Sequence, residues 1–146
     1  GAPTPWAPAT NGPVMALAMT SDAVYVGGSM TDVNGVPRSG LAALDLAGGL
    51  KPWAPSLESP VSGTWVDALA AAGSTIYVGG LFASVNGVLT PGLAAVETSG
   101  AVQPGDRFAS TAAAEALLVQ GSRLWVGGDF DRVGAWPAQG FAVVER

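Results

Sequence analysis

Short apolar runs recur along this chain in a fixed order, each bounded by glycine or proline, and the whole order returns three times. In the first copy, Val14-Met15-Ala16-Leu17-Ala18 predicts one strand, Ala23 to Gly28 a second, Gly40 to Leu46 a third and Lys51 to Pro55 a fourth. Tyr25-Val26-Gly27-Gly28 comes back as Tyr77-Val78-Gly79-Gly80 and as Trp125-Val126-Gly127-Gly128, at spacings of 52 residues (25 to 77) and 48 residues (77 to 125). Leu17, Leu69 and Leu117 each stand eight residues before the aromatic of that string. From the double glycine to the next strand, GSMTDVNGVPRSGLAALDL, GLFASVNGVLTPGLAAVET and GDFDRVGAWPAQGFAVVER align without a gap. One supersecondary unit of about fifty residues, written three times, is a repeat architecture.

Runs such as GLAALDL and TIYVGG are apolar on both faces, which predicts strands covered on both sides by neighbouring sheets. Asn34-Gly35 and Asn86-Gly87 sit between apolar strands, the signature of tight hairpin turns whose two central residues take positive φ. The glycine pair closing each second strand predicts a bulge or a close approach of another backbone. With 21 glycines, 11 prolines and only 12% charged residues, long helices are excluded and an all-β fold is expected.

The succession of a Val-x-Ala-Leu-Ala strand, an aromatic-Val-Gly-Gly strand, a Val-Asn-Gly turn, a Gly-Leu-Ala-Ala-Leu-Asp strand and Pro-Trp-Ala-Pro resembles the bacterial delta-60-type β-propeller repeats. It is also similar to the Rax2-like and, more distantly, the kelch repeats, in which a double glycine follows the second strand and a tryptophan lies in the fourth. The resemblance covers nearly the whole chain and implies a β-propeller of three four-stranded blades, at residues 13–58, 65–108 and 113–146. It implies a secreted or cell-surface protein of bacterial origin and says little of ligand. Thr4-Pro5-Trp6-Ala7-Pro8 copies Lys51-Pro52-Trp53-Ala54-Pro55, so residues 1–8 are expected to supply the closing fourth strand, pairing with Phe141 to Val144 of the same chain or a partner. Propellers typically have four to eight blades; a homodimer completing six blades is therefore expected. A fragment of a longer propeller, an engineered self-assembling half-propeller with no ligand of its own, and a β-trefoil or β-prism are the rival readings.

A net charge of −5, with no basic patch, argues against nucleic acid and anionic membranes as partners, and no apolar run reaches the length of a membrane span. Cysteine and histidine are absent, which removes disulfides, thiolate chemistry and the commonest general base and metal ligand. Asp45, Glu97 and Glu145 recur at the end of the third strand, where a carboxylate accepting turn amides is preferred to a cation ring. Asp32-Val33-Asn34-Gly35 lacks the alternating oxygens of a calcium loop. No cofactor or metal is expected, and no catalytic residue is assigned.

Trp6, Trp53 and Trp125 occupy repeated positions and are read as packing. Gly105 stands at the Trp53 position of the second copy. Trp65, at the edge of the extra segment Ser59 to Thr64, and Trp136, where the other copies have Val36 and Val88, depart from the repeat. They are candidate ligand-binding residues, together with Asp129 and Arg132 near Trp136. The functional expectation is a noncatalytic binding or structural module taking a protein or glycan ligand. A carbohydrate-binding, lectin-like propeller is the first alternative; a hydrolase or lyase is the least favoured.

Overall fold

The computed structural model describes residues 1–60, 63–105 and 107–146, and every element in it is a strand. The first unit runs β1 (Val14–Met19), β2 (Ala23–Gly28), the short β3 (Asp32–Val33) and β4 (Val36–Pro37), then β5 (Leu41–Asp45). After β6 (Leu57–Glu58), the second unit repeats the order as β7 (Trp65–Ala72), β8 (Thr75–Leu81), β9 (Ser84–Val85), β10 (Val88–Leu89) and β11 (Leu93–Glu97). The third is β12 (Ala114–Gln120), β13 (Arg123–Gly128), β14 (Arg132–Val133), β15 (Trp136–Pro137) and β16 (Phe141–Glu145). Each unit makes an antiparallel sheet with the double-glycine strand in its centre: β1-β2-β5, β7-β8-β11 and β12-β13-β16. The fold is all-β. Of the extra segment Ser59 to Thr64, residues 61 and 62 lie outside the described residues.

Sheet geometry explains the repeated glycines. The register shifts at the same place in all three copies, between Val14 and Ala16, Val66 and Ala68, Ala114 and Ala116. There the carbonyls of Pro13, Trp65 and Ala113 fill the space that a Cβ on Gly28, Gly80 or Gly128 would take. The hairpin turns carry positive φ at Asn34 (53°) and Gly35 (77°), and at Asn86 (50°) and Gly87 (75°), as their Asn-Gly pairs require.

The sheets stack face to face. Tyr25, Leu41 and Ala43 of the first meet Val66, Leu69, Ile76 and Val78 of the second. Tyr77, Leu93 and Ala95 of the second meet Ala114, Leu124 and Val126 of the third. The central sheet is thus covered on both faces, which is why its strands carry no polar alternation. Each large aliphatic side chain buried there contributes about 1.5–3 kcal/mol.

The expected fourth strand is reduced to one bridge in each of the first two sheets, Leu44 to Leu50 and Val96 to Val102. Beyond it the chain leaves its sheet: Leu57–Glu58 pairs with β9 of the second unit, as Thr10 bridges Val33 in the first and Ser110 bridges Val133 in the third. Prolines at 52 and 55 lack the N–H that would continue a ladder. The tryptophan segment therefore serves the sheet that follows it. Trp53 Nε1 donates to the Glu97 carbonyl at 2.9 Å, and Trp6 Nε1 to the Asp45 carbonyl at 3.4 Å. Residues 1–8 form no strand, and within the chain Trp6 lies on the first sheet rather than beside Phe141 to Val144. The connection between Val102 and Ser110 is one residue longer than that between Leu50 and Leu57 (8 against 7), and it is Arg107 that donates to the Glu145 carbonyl, at 3.1 Å. Gly105 is compelled by the Leu89 carbonyl and Thr90, which a Cβ would strike.

Candidate functional site

Between the first two sheets the turns leave a groove of about 780 Å³. Its walls are the β1–β2 turn (Thr20 to Asp22), the segment Lys51 to Pro55, the β7–β8 turn at Gly73 and Ser74, Asn86, and Thr98 to Gly100. Tyr25 and Trp53 form the floor, edge to face with centroids 4.9 Å apart and planes at 87°. Both are buried, so they brace the groove and offer it only their rims.

An ion pair crosses one end, Lys51 Nζ donating to Asp22 Oδ2 at 2.7 Å. The hydrogen bond from Lys51 holds the Asp22 carboxyl below its ordinary value, helped by Thr20, and Asp22 in turn raises Lys51. Behind Ser74 of the other wall, burial works to raise Glu97, but hydrogen bonds from Gln103 (2.7 Å), Ser74 (2.9 Å) and Thr75 (3.0 Å) leave it below its ordinary value. Asn86 bridges the groove's upper wall, accepting from the Ser56 amide at 2.8 Å and donating to the Gly100 carbonyl at 3.2 Å. Between the second and third sheets the equivalent place holds Phe108 against Tyr77, with Arg107 over the Phe108 ring and Arg146 at the Tyr77 hydroxyl.

Among the expected site residues, Trp65 stands apart from the rest. It is the first residue of β7, on a strand rather than in the inserted loop, at the place of Pro13 and Ala113. It is 37% exposed, and its Nε1 donates to Asp67 Oδ2 at 3.1 Å. Burial raises the Asp67 carboxyl, against the pull of that bond. Trp136, 78% exposed, opens β15 and lines a separate hollow of about 430 Å³ with Arg107, Ala142, Val144 and Glu145. Arg132 pairs across that hairpin with Pro137, and Asp129 is exposed just after Gly128. Trp136, Asp129 and Arg132 thus belong to the third unit and Trp65 to the second.

The recurrent carboxylates act locally. Asp45 Oδ1 accepts the amides of Ala47 and Gly49, both at 2.8 Å, the turn-capping role expected of all three. Glu97 and Glu145 differ in holding side chains of the preceding hairpin, Glu145 those of Ser122 (2.8 Å) and Arg123 (3.2 Å). The Ser122 bond, with Arg123 behind it, lowers the Glu145 carboxyl. The groove itself was not among the sequence expectations. Its signal was present: the first copy has Asp22 and Lys51 where the second has Ser74 and Gln103. Compared with known protein families, curated proteins and solved structures, the chain finds no significant match.

Proposed function

We propose that the three stacked sheets are blades of a β-propeller and that the chain is a noncatalytic recognition module, its ligand held in the groove between the first two sheets. The groove carries this reading: its volume suits a small ligand or a peptide loop, and its walls are hydroxyls, amides and turn backbone over a braced aromatic floor. The charged groups among its lining residues, Asp22 and Lys51, are engaged with each other, and Glu97 behind Ser74 is held by Ser74, Thr75 and Gln103. Carboxylates held below their ordinary values by such bonds serve as struts and acceptors, whereas a general acid needs a raised value. A six-bladed ring of two chains is the assembly that goes with this reading.

The exposed indole of Trp136 favours a glycan as a second reading, since a free aromatic face beside a hollow is what a sugar ring stacks upon. A glycan array probed with the wild-type chain, Lys51→Ala and Trp136→Ala tests both. Retention lost in Lys51→Ala places the ligand in the groove; retention lost only in Trp136→Ala places it at the hairpin and overturns the groove. Conversion of a bound glycan to product overturns the noncatalytic reading.

A further inference from the structure

The two outer faces of the stack are the same two surfaces that meet inside it. Leu17 is 64% exposed while its counterpart Leu69 is 8% exposed, and Val14 is 40% exposed against 0% for Val66. At the other end Phe141 is 60% exposed and Val143 44%, where Leu41 and Leu93 are at 0% and Ala43 and Ala95 at 1%. Among the described residues no sheet covers the first sheet on the side that Val66 and Leu69 turn toward a preceding sheet, and none covers the third on the side that Leu41 and Ala43 turn toward a following sheet.

The first glycine of each pair records the same docking. A Cβ on Gly27 would strike Val66 of the second sheet, and one on Gly79 would strike Ala114 of the third. On Gly127 it would meet only Ala116 Cβ at 3.5 Å and the Gly140 carbonyl at 4.0 Å, ordinary contacts. Among the described residues Gly127 is therefore a seat without an occupant, and Trp125 beside it has a buried Nε1 with no hydrogen-bond partner there.

We propose that a second copy of this chain docks head to tail on the third sheet, its Val14 on Gly127 as Val66 sits on Gly27, and that two such contacts close a ring of two chains. The inference rests on the blade reading above. The partner's N-terminal segment then adds to β16: Asp45 N bonds to Gly49 O and Lys51 N to Ala43 O around the Leu44–Leu50 pair, and counting back from the equivalent tryptophans sets Pro3 opposite Val144. Those bonds use the residues on either side of position 50, so a proline at position 3 withholds nothing the ladder needs. A second copy is the occupant because this chain carries both complementary faces. An apolar face that broad is one that soluble proteins cover, and a twofold arrangement closes where a non-closing rotation would give a filament.

The experiment is light scattering on wild type, Gly127→Val and Gly27→Val at micromolar concentration, with melting curves for each. Wild type is expected at the mass of two chains. Gly127→Val should run as one chain, with association weakened about a hundredfold and a strand spectrum retained. Pro3→Cys/Val144→Cys should form a disulfide between chains, since a directly opposed non-hydrogen-bonded pair has suitable spacing and the chain has no other cysteine. A wild-type monomer, oligomers larger than two, or a dimer indifferent to Gly127→Val overturns the docking. Gly27→Val reports on the blade stacking separately: strong destabilisation keeps it even if the docking fails, and an unchanged melting temperature overturns it.

Discussion

Trp53 donates its indole N–H to the carbonyl of Glu97, 44 positions further along the chain, while its ring stands edge-on to Tyr25. One side chain thus ties the connection leaving the first sheet to the far edge of the second and closes the core between them. Trp53→Ala should cost about 3–5 kcal/mol, as for large aromatic truncations in a core. Trp53→Phe, which keeps most of the ring and loses the hydrogen bond, should cost about 1–2 kcal/mol. Chemical denaturation of the two variants checks the order, and equal losses would mean that the indole N–H contributes nothing.

Asn86 supplies both a left-handed turn residue and two hydrogen bonds across the groove wall. Asn86→Gly keeps the backbone and loses the bonds; Asn86→Ala loses both. The alanine variant should be the less stable by about 1 kcal/mol, and a reversed order in thermal melts would show that backbone strain is not what the asparagine relieves.

Glu97 has a lowered carboxyl, so it binds its proton less readily in the folded chain than in the unfolded one. Its stabilising contribution is complete above the ordinary carboxylate value of about 4.3 and is lost as pH falls through the folded value. Wild type should lose more stability than Glu97→Gln between about pH 5 and pH 3. Parallel acid-unfolding curves for the two proteins would show that the bonds from Gln103, Ser74 and Thr75 do not favour the ionised form.

Asp67 has the opposite sign: burial raises it, so stability falls as pH rises from its ordinary value through the folded one. Asp67→Asn can still accept from Trp65 Nε1 and carries no charge, so its melting temperature at neutral pH should equal or exceed that of wild type. A clear drop would show that the ionised carboxylate is what holds Trp65.

Trp136 and Lys51 bear on binding rather than stability. Trp136 is 78% exposed and the Lys51–Asp22 pair is a surface ion pair. Trp136→Ala and Lys51→Ala should each leave the melting temperature within about a degree or two of wild type, measured by differential scanning fluorimetry. A large drop in either would make it part of the core.

Strand order, the three copies and the Asn-Gly turns were legible in the sequence because they are local: short apolar runs bounded by glycine or proline, turn chemistry and the spacing of 25, 77 and 125 fix them within one unit. The double glycines were legible as close approaches, without their partners. Which sheet the tryptophan segments serve was decided only by tertiary structure, since Trp6 and Trp53 find their acceptors 39 and 44 residues away, after the prolines have ended the local ladder. Arg107 taking up the corresponding bond to Glu145 depends on one extra residue in a connection, which a gapless comparison of copies does not weigh. The groove is decided the same way. Asp22 and Lys51 are 29 residues apart, ordinary surface charges until two hairpins bring them within 2.7 Å, and no local propensity encodes a distance across stacked sheets.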